Sequence, residues 1–212
     1  MKNINYFRLP ALFTPELISF VLTENKLHHG KGSSLNALEA ETAGLCAEEA
    51  QYSNSHIFVA LSQDRICGSI RIFKRKAFQK LPMEKLYPVD LAMFTEAGQP
   101  VYHIGRFAIA KGCDEKGFRV FKTLMALALK VADADPTGAV FAECDLKLLR
   151  TIRLLGIEAE AIGDPVLYLG SETVPVKLPW AGYQNFLHRY RNLPGYKVPF
   201  LRQEFSDFNL SP

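Results

Sequence analysis

Apolar and polar positions alternate along the middle of the chain in two runs, residues 56–63 (HIFVALSQ) and 65–73 (RICGSIRIF), that meet at the polar pair Gln63-Asp64. β-branched and aromatic residues bounded by a short polar break predict a hairpin. A third run, 100–110 (PVYHIGRFAIA), is apolar on both faces in places and predicts a central strand. The loop Lys111–Gly117 (KGCDEKG) follows it. From Phe118 to Asp133 the period changes: Phe118, Phe121, Met125, Ala128 and Ala132 recur at three- and four-residue steps, the stripe of an amphipathic helix. Pro136-Thr137-Gly138 stops that helix. A short buried strand is expected at 139–143, then a helix from Leu146 to Leu155 capped by Asp145 and ended at Gly156. Closing strands are expected at 157–162 and 166–176, and a terminal helix at 180–190. Upstream, Pro15–Leu27 and Asn36–Gln51 read as helices, and residues 74–88 as irregular, basic and aromatic.

The resulting order places antiparallel strands first and helical crossovers only after the third strand. That is the signature of an α/β (α+β) fold with a mixed, mostly antiparallel central sheet flanked by helices, in one domain: a helical region at 1–55, a core at 56–176, and a C-terminal helix and tail at 177–212. Composition adds exclusions. With 48% hydrophobic residues the 212-residue chain is too apolar to be disordered. A net charge of +3 is too small for a polycationic nucleic-acid binder. The longest apolar stretch, Leu124–Leu129, is far short of the ~20 residues of a membrane helix. Arg8 and Pro10 interrupt any export signal. The four cysteines (46, 67, 113, 144) form no CxxC pair and no His pair has zinc spacing, so no metal site and a reduced, cytoplasmic protein are expected. Cys46, Cys67 and Cys144 suit buried, inert thiols; Cys113 precedes a helix but has no base at a motif spacing.

Several segments carry a family resemblance. Gly68-Ser-Ile-Arg71 is similar to a Gly-x-x-Arg motif, FKRKAFQKLPMEKLYPVDL (73–91) to a characteristic connector, His103-Ile-Gly-Arg106-Phe-Ala-Ile to a Glu-x-Ser-Arg-Phe-x-Val strand, and Arg150-x-x-Arg153-LLGIEAEAIG to a later helix. Together they resemble the acyl-homoserine-lactone synthases and N-acyl amino acid synthases of the GNAT acyltransferase superfamily, over about residues 56–175. The family's Glu is His103 here, its Ser is Gly105, and Glu48 and Glu49 are nearest to its acidic pair. The resemblance implies an N-acyltransferase. It would move an acyl group from acyl-CoA or the acyl-phosphopantetheine of an acyl carrier protein to a small-molecule amine, an amino acid or homoserine lactone, with no tightly bound cofactor. An acetyl-CoA-dependent N-acetyltransferase and a non-catalytic acyl-binding module of the same fold are the alternatives. The Arg/Gln-x-x-Gly-x-Gly loop usual for acetyl-CoA is absent.

Acyl transfer to an amine needs a base and donors for the developing oxyanion. His103, with an ordinary pKa of about 6.5, is a suitable proton acceptor; Glu143 is the second candidate. Gly105 inside a strand marks a bulge whose backbone N–H groups are free to meet a thioester oxygen. A splayed cleft beside residues 103–109 is expected, admitting a pantetheine arm. Arg71 is expected on the polar face of its strand, either solvated or at the substrate. Arg106 is either in an ion pair with Glu143, Glu172 or Asp90, or an anchor for the acceptor's carboxylate, beside Phe107, Ala108 and Ile109. Lys111, Gly112, Lys116, Gly117 and Phe118 lead into a helix N-terminus and are candidates for the donor's phosphate, opposed by Asp114 and Glu115. Two basic trios, Lys116/Arg119/Lys122 and Lys147/Arg150/Arg153, suit either a solvated helix face or an acidic carrier protein.

Overall fold

A computed structural model describes residues 3–10, 15–29, 35–52, 54–114, 118–168, 171–193 and 198–201. Its elements are β1 (Ile4–Leu9), α1 (Pro15–His29), α2 (Leu35–Glu49), β2 (His56–Ser62), β3 (Arg65–Lys74), α3 (Met83–Leu86), a 3-10 turn (Leu91–Phe94), β4 (Val101–Ile109), α4 (Arg119–Asp133), β5 (Ala139–Asp145), α5 (Leu146–Leu154), β6 (Glu160–Ala161), β7 (Val166–Tyr168), β8 (Ser171–Leu178) and α6 (Trp180–Arg189). The strands hydrogen-bond in the order β1-β2-β3-β4-β5-β8-β6, with β7 added to β8. Of the registers described, β4–β5 is parallel and β1–β2, β5–β8, β6–β8 and β7–β8 are antiparallel. This is the mixed, mostly antiparallel sheet that the order of elements predicts.

The chain forms two compact units, Met1–Arg71 with Arg106–Ala128 and Leu193–Pro212, and Ile72–Gly105 with Leu129–Asn192. In the first, the β2–β3 hairpin closes through Gln63 (φ 50°) and Asp64 (φ 58°), both left-handed. Two successive positive φ values are those of a type I′ turn, whose twist matches the strands it joins. Leu17, Ile18 and Leu22 of α1 and Ile57, Val59 and Ile70 of the hairpin are buried in this unit, as are Val120 and Leu124 of α4. α1 packs on α2. Gly68 is dictated by close approach: a Cβ there would stand 2.9 Å from Leu124 Cδ1 and 3.0 Å from Val120 Cγ1. The N-terminal region, expected to be helical, also carries β1. The segment 198–201 lies along β1, Arg8 N–H donating to Pro199 O and Leu201 N–H to Arg8 O, each at 3.0 Å.

In the second unit Asp145 caps α5 as its position predicts, accepting from the N–H groups of Lys147 (2.7 Å) and Leu148 (2.8 Å). Gly156, at φ 85°, ends the turn after α5. The expected long closing strands are shorter. Only Glu160–Ala161 of the first forms β6, and the second is the separate strands β7 and β8. Strand propensity had no means of showing that this run turns back on itself. Phe118 is also corrected: it lies outside α4, left-handed (φ 53°) and exposed, while Phe121, Met125, Ala128 and Ala132 are buried as the stripe predicts. Cys67 and Cys144 are buried, but Cys46, expected to be so, is half-exposed. Among the described residues no helix is long and apolar enough to cross a membrane, and no group of His, Cys, Asp or Glu could hold a metal ion.

Candidate active site

Two clusters of charged and polar side chains stand out, one in each unit. In the second unit His103 projects from β4 where it lies beside β5, in register with Phe141. Its side chain is 1% exposed, and its Nε2–H donates to Glu143 Oε2 at 2.9 Å. The Phe73 ring lies against it, centroids 5.4 Å apart and tilted by 44°. Period-two alternation along β5 sets Glu143 two residues beyond Phe141, on the same face of that strand. A carboxylate bonded to Nε2 fixes which imidazole nitrogen carries the proton. The β4–β5 register runs from Val101/Ala139 to Ile104/Ala142, and Gly105 is the next residue of β4.

Directly after Gly105, Arg106 adopts φ 53°. A left-handed arginine inside a strand is a genuine outlier, held only where surroundings over-determine it. The sequence places a bulge at Gly105; the left-handed residue is one further on. In the first unit Ser69 Oγ donates to Arg106 O at 3.0 Å. The Arg106 guanidinium donates through Nε to Glu49 Oε1 (2.8 Å) and through Nη2 to Glu48 Oε2 (3.2 Å). Arg71 donates through Nη1 to the other Glu49 oxygen and lies 5.2 Å over the Tyr52 ring. α2 therefore ends with two adjacent carboxylates, one of which bridges two arginines from β3 and β4. Burial alone would push the Glu49 carboxyl up. The Arg71 and Arg106 charges, helped by their hydrogen bonds, outweigh it and hold Glu49 below the ordinary carboxylate range.

Two expectations are corrected here. Arg71 is not on a solvated face: its side chain is 1% exposed. Strand alternation missed this because both faces of β3 are covered from Ile66 to Phe73. Arg106 is paired with acids other than the ones expected: the carboxylates described at it are Glu48 and Glu49, while Glu143 bonds His103 and Asp90 caps the 3-10 turn at Ala92 N. Tyr52 carried no role in the sequence, and Glu48 and Glu49 were named only as nearest to the acidic pair of the family resembled. Two consecutive acids at the end of a helix just ahead of the first hairpin strand were the available signal.

Phe107 packs edge-on to Phe121 (4.9 Å, 74°), and Phe121 in turn to Phe118 (6.3 Å, 80°). Ala108 is buried, and Ile109 O accepts from His28 Nε2 at 3.0 Å. In the loop after β4, Gly112 is left-handed (φ 81°), Lys111 is exposed, and Lys111 N–H donates to Glu24 Oε2 at 3.0 Å. Asp114 accepts from the N–H groups of Val120 (3.1 Å) and Phe121 (2.9 Å), so a carboxylate of the chain itself already occupies the anion position at the start of α4. Lys116 and Gly117 lie outside the described residues. Of the basic trios, Arg153 is engaged with Ala159 O through Nε and Nη2 (3.3 and 2.7 Å).

A mixed, mostly antiparallel sheet whose strand β4 is followed by a loop and the long helix α4 is a GNAT-like architecture. The family model for the N-acyl amino acid synthase FeeM matches residues 36–178, and the chain belongs to this family. The structure of FeeM from uncultured soil microbes superposes with a TM-score of 0.63 at 18% identity, covering 92% of this chain and 100% of that one. The CoA-dependent acyl-homoserine lactone synthase BjaI, solved with SAM and isopentyl-CoA, gives 0.58 at 15% identity over 94% and 96% of the two chains. A GNAT-family acetyltransferase structure from Desulfovibrio desulfuricans gives 0.51 at 16% identity over 84% and 99%. At these identities the superpositions speak to fold. No curated protein matches the chain by sequence.

Proposed function

We propose that this protein transfers an acyl group from a thioester, carried by acyl carrier protein or coenzyme A, to the amine of an amino acid or related compound. The observation that carries the reading is the hydrogen bond between buried His103, on the strand that leads into Gly105, and Glu143 on the neighbouring strand β5. In the proposed step the amine nitrogen attacks the thioester carbonyl. The new N–C bond forms, the C–S bond breaks, and the thiolate leaves. His103 Nδ1 takes the amine proton while Glu143 stabilises the imidazolium and holds its orientation. Backbone N–H groups around Gly105 meet the oxyanion.

Arg106, oriented by Glu48 and Glu49, is the candidate for the acceptor's carboxylate, since a forked guanidinium suits that group, and Arg71 acts on it through the Glu49 they share. Phe107, Ala108 and Ile109 line the route of the acyl chain, extended by the Phe107–Phe121–Phe118 aromatic run. Lys111, Gly112 and Phe118 contact the donor arm, with Lys116 and Gly117 of the same loop. Because Glu24 and Asp114 hold the nearby N–H groups, Lys111 meets phosphate through its side chain. The test is incubation of the purified protein with acyl carrier protein and acyl-CoA of several chain lengths and pooled amino acids, following thiol release and N-acyl products by mass spectrometry. A new N-acyl amino acid is expected. Tight acyl binding with no thiol release from any donor would refute transfer and leave an acyl-binding module.

A further inference from the structure

The turn Lys76–Gln79 in the second unit has no part in that chemistry, yet it is built with care. Phe78 at its tip is fully exposed and left-handed, at φ 61°. A single exposed apolar residue needs no explanation, but a bulky aromatic at positive φ does. Three hydrogen bonds clamp the conformation. Gln79 N–H donates to Lys76 O (3.1 Å), Lys76 N–H to Gln79 Oε1 (3.0 Å), and Arg75 Nε to Gln79 O (2.7 Å). The ring is thus held outward by its own turn. Around it the segment 74–85 carries Lys74, Arg75, Lys76, Lys80 and Lys85 against the single acid Glu84. That local excess is larger than the net +3 of the whole chain. Glu84 is engaged from within, accepting from Leu81 N–H at 2.7 Å and standing 3.7 Å from Arg75. Lys76, Lys80 and Lys85 are exposed.

We propose that this turn is a contact with anionic bilayer surface, Phe78 inserting among the lipids while Lys76, Lys80 and Lys85 meet the headgroups. An aromatic ring suits the headgroup level, and polybasic segments are drawn to anionic leaflets within a Debye length. A bilayer also explains why the ring is presented on a convex tip, since it needs apolar depth and no complementary pocket. The contact is peripheral and stands independently of the acyl-transfer reading.

The experiment is co-sedimentation of the full chain with phosphatidylglycerol vesicles and, separately, with phosphatidylcholine vesicles. The wild type is expected with the former and not the latter. Phe78→Asn keeps the turn, because Asn tolerates positive φ, and should weaken partitioning about tenfold. Lys76→Gln and Lys80→Gln should each weaken it about fivefold and flatten its dependence on salt. Failure of the wild type to sediment with phosphatidylglycerol, or equal partitioning of Phe78→Asn and wild type, would overturn the proposal. So would binding to acyl carrier protein that Phe78→Asn abolishes while vesicle binding is unmoved; the turn would then belong to an acidic protein partner.

Discussion

Glu49→Gln removes a carboxylate that two buried guanidiniums share. The Glu49 side chain is 3% exposed, Arg71 1% and Arg106 10%. After the substitution Arg106 still has Glu48 at 3.2 Å, but its Nε has lost its charged acceptor, and Arg71 has lost the carboxylate it is bonded to. Breaking a buried pair by removing one partner costs about 3–5 kcal/mol, because the remaining charge stays desolvated. Gln retains one acceptor oxygen, so the low end applies. With a urea slope of about 1–3 kcal/mol/M, a loss of about 3 kcal/mol lowers the urea midpoint by about 1.5 M at mid-range slope. The double variant Glu49→Met/Arg71→Met should recover part of the loss, since Arg71 is no longer left buried and charged while Arg106 keeps Glu48.

The same pair predicts a pH dependence. Glu49's folded pKa lies below its unfolded value of about 4.3, so its contribution is fully present above that value and is lost as pH falls through the folded one. The deficit of Glu49→Gln should therefore be greatest near neutrality and shrink below about pH 4. Urea titrations of the three proteins at pH 7 and pH 3.5 measure both effects. A Glu49→Gln midpoint equal to wild type at pH 7 would refute the view that Glu49 holds the cluster together.

His103→Asn should lower kcat by about 10²-fold or more with the urea midpoint little changed; an unaltered rate would remove His103 from proton transfer. Gly68→Ala should destabilise by about 1–3 kcal/mol, read as a lower midpoint, because its Cβ would press on Leu124 and Val120. Asp145→Ala should cost about 1 kcal/mol through the lost cap of α5, with turnover retained.

Much of the fold was legible because its signals are local. The α4 stripe, the Asp145 cap, Gly156 and the Gln63-Asp64 turn each act within a few residues, and each lies where the chain pattern puts it. What escaped is non-local. β1 has only six residues, and its place is set by pairing with β2, some fifty residues on. Arg71 looked solvated because alternation cannot say that both faces of β3 are covered. The partners of Arg106 were sought among Asp90, Glu143 and Glu172, whereas they stand at the end of α2. The left-handed backbone at Arg106 was displaced by one residue from its expected place, since glycine marks where a bulge is cheap and the hydrogen bond from Ser69 helps fix where the chain turns.

His103 stands where the related families have an acid, and the chain alone offered it and Glu143 as two alternative bases. The register of β4 on β5 brings the two together. His103 is opposite Phe141, and Glu143, two residues on, reaches the imidazole at 2.9 Å. A carboxylate is thus still present, one strand over, bonded to the ring. Such a pair does what an isolated carboxylate does poorly near neutral pH. An acid with an ordinary pKa of about 4.3 is a weak base at pH 7, whereas an imidazole near 6.5 is well matched to that pH. Glu143 adds orientation through its hydrogen bond to the ring. A His103→Glu variant should therefore set two carboxylates facing each other, one of them buried, and lose activity rather than revert to the related families' arrangement.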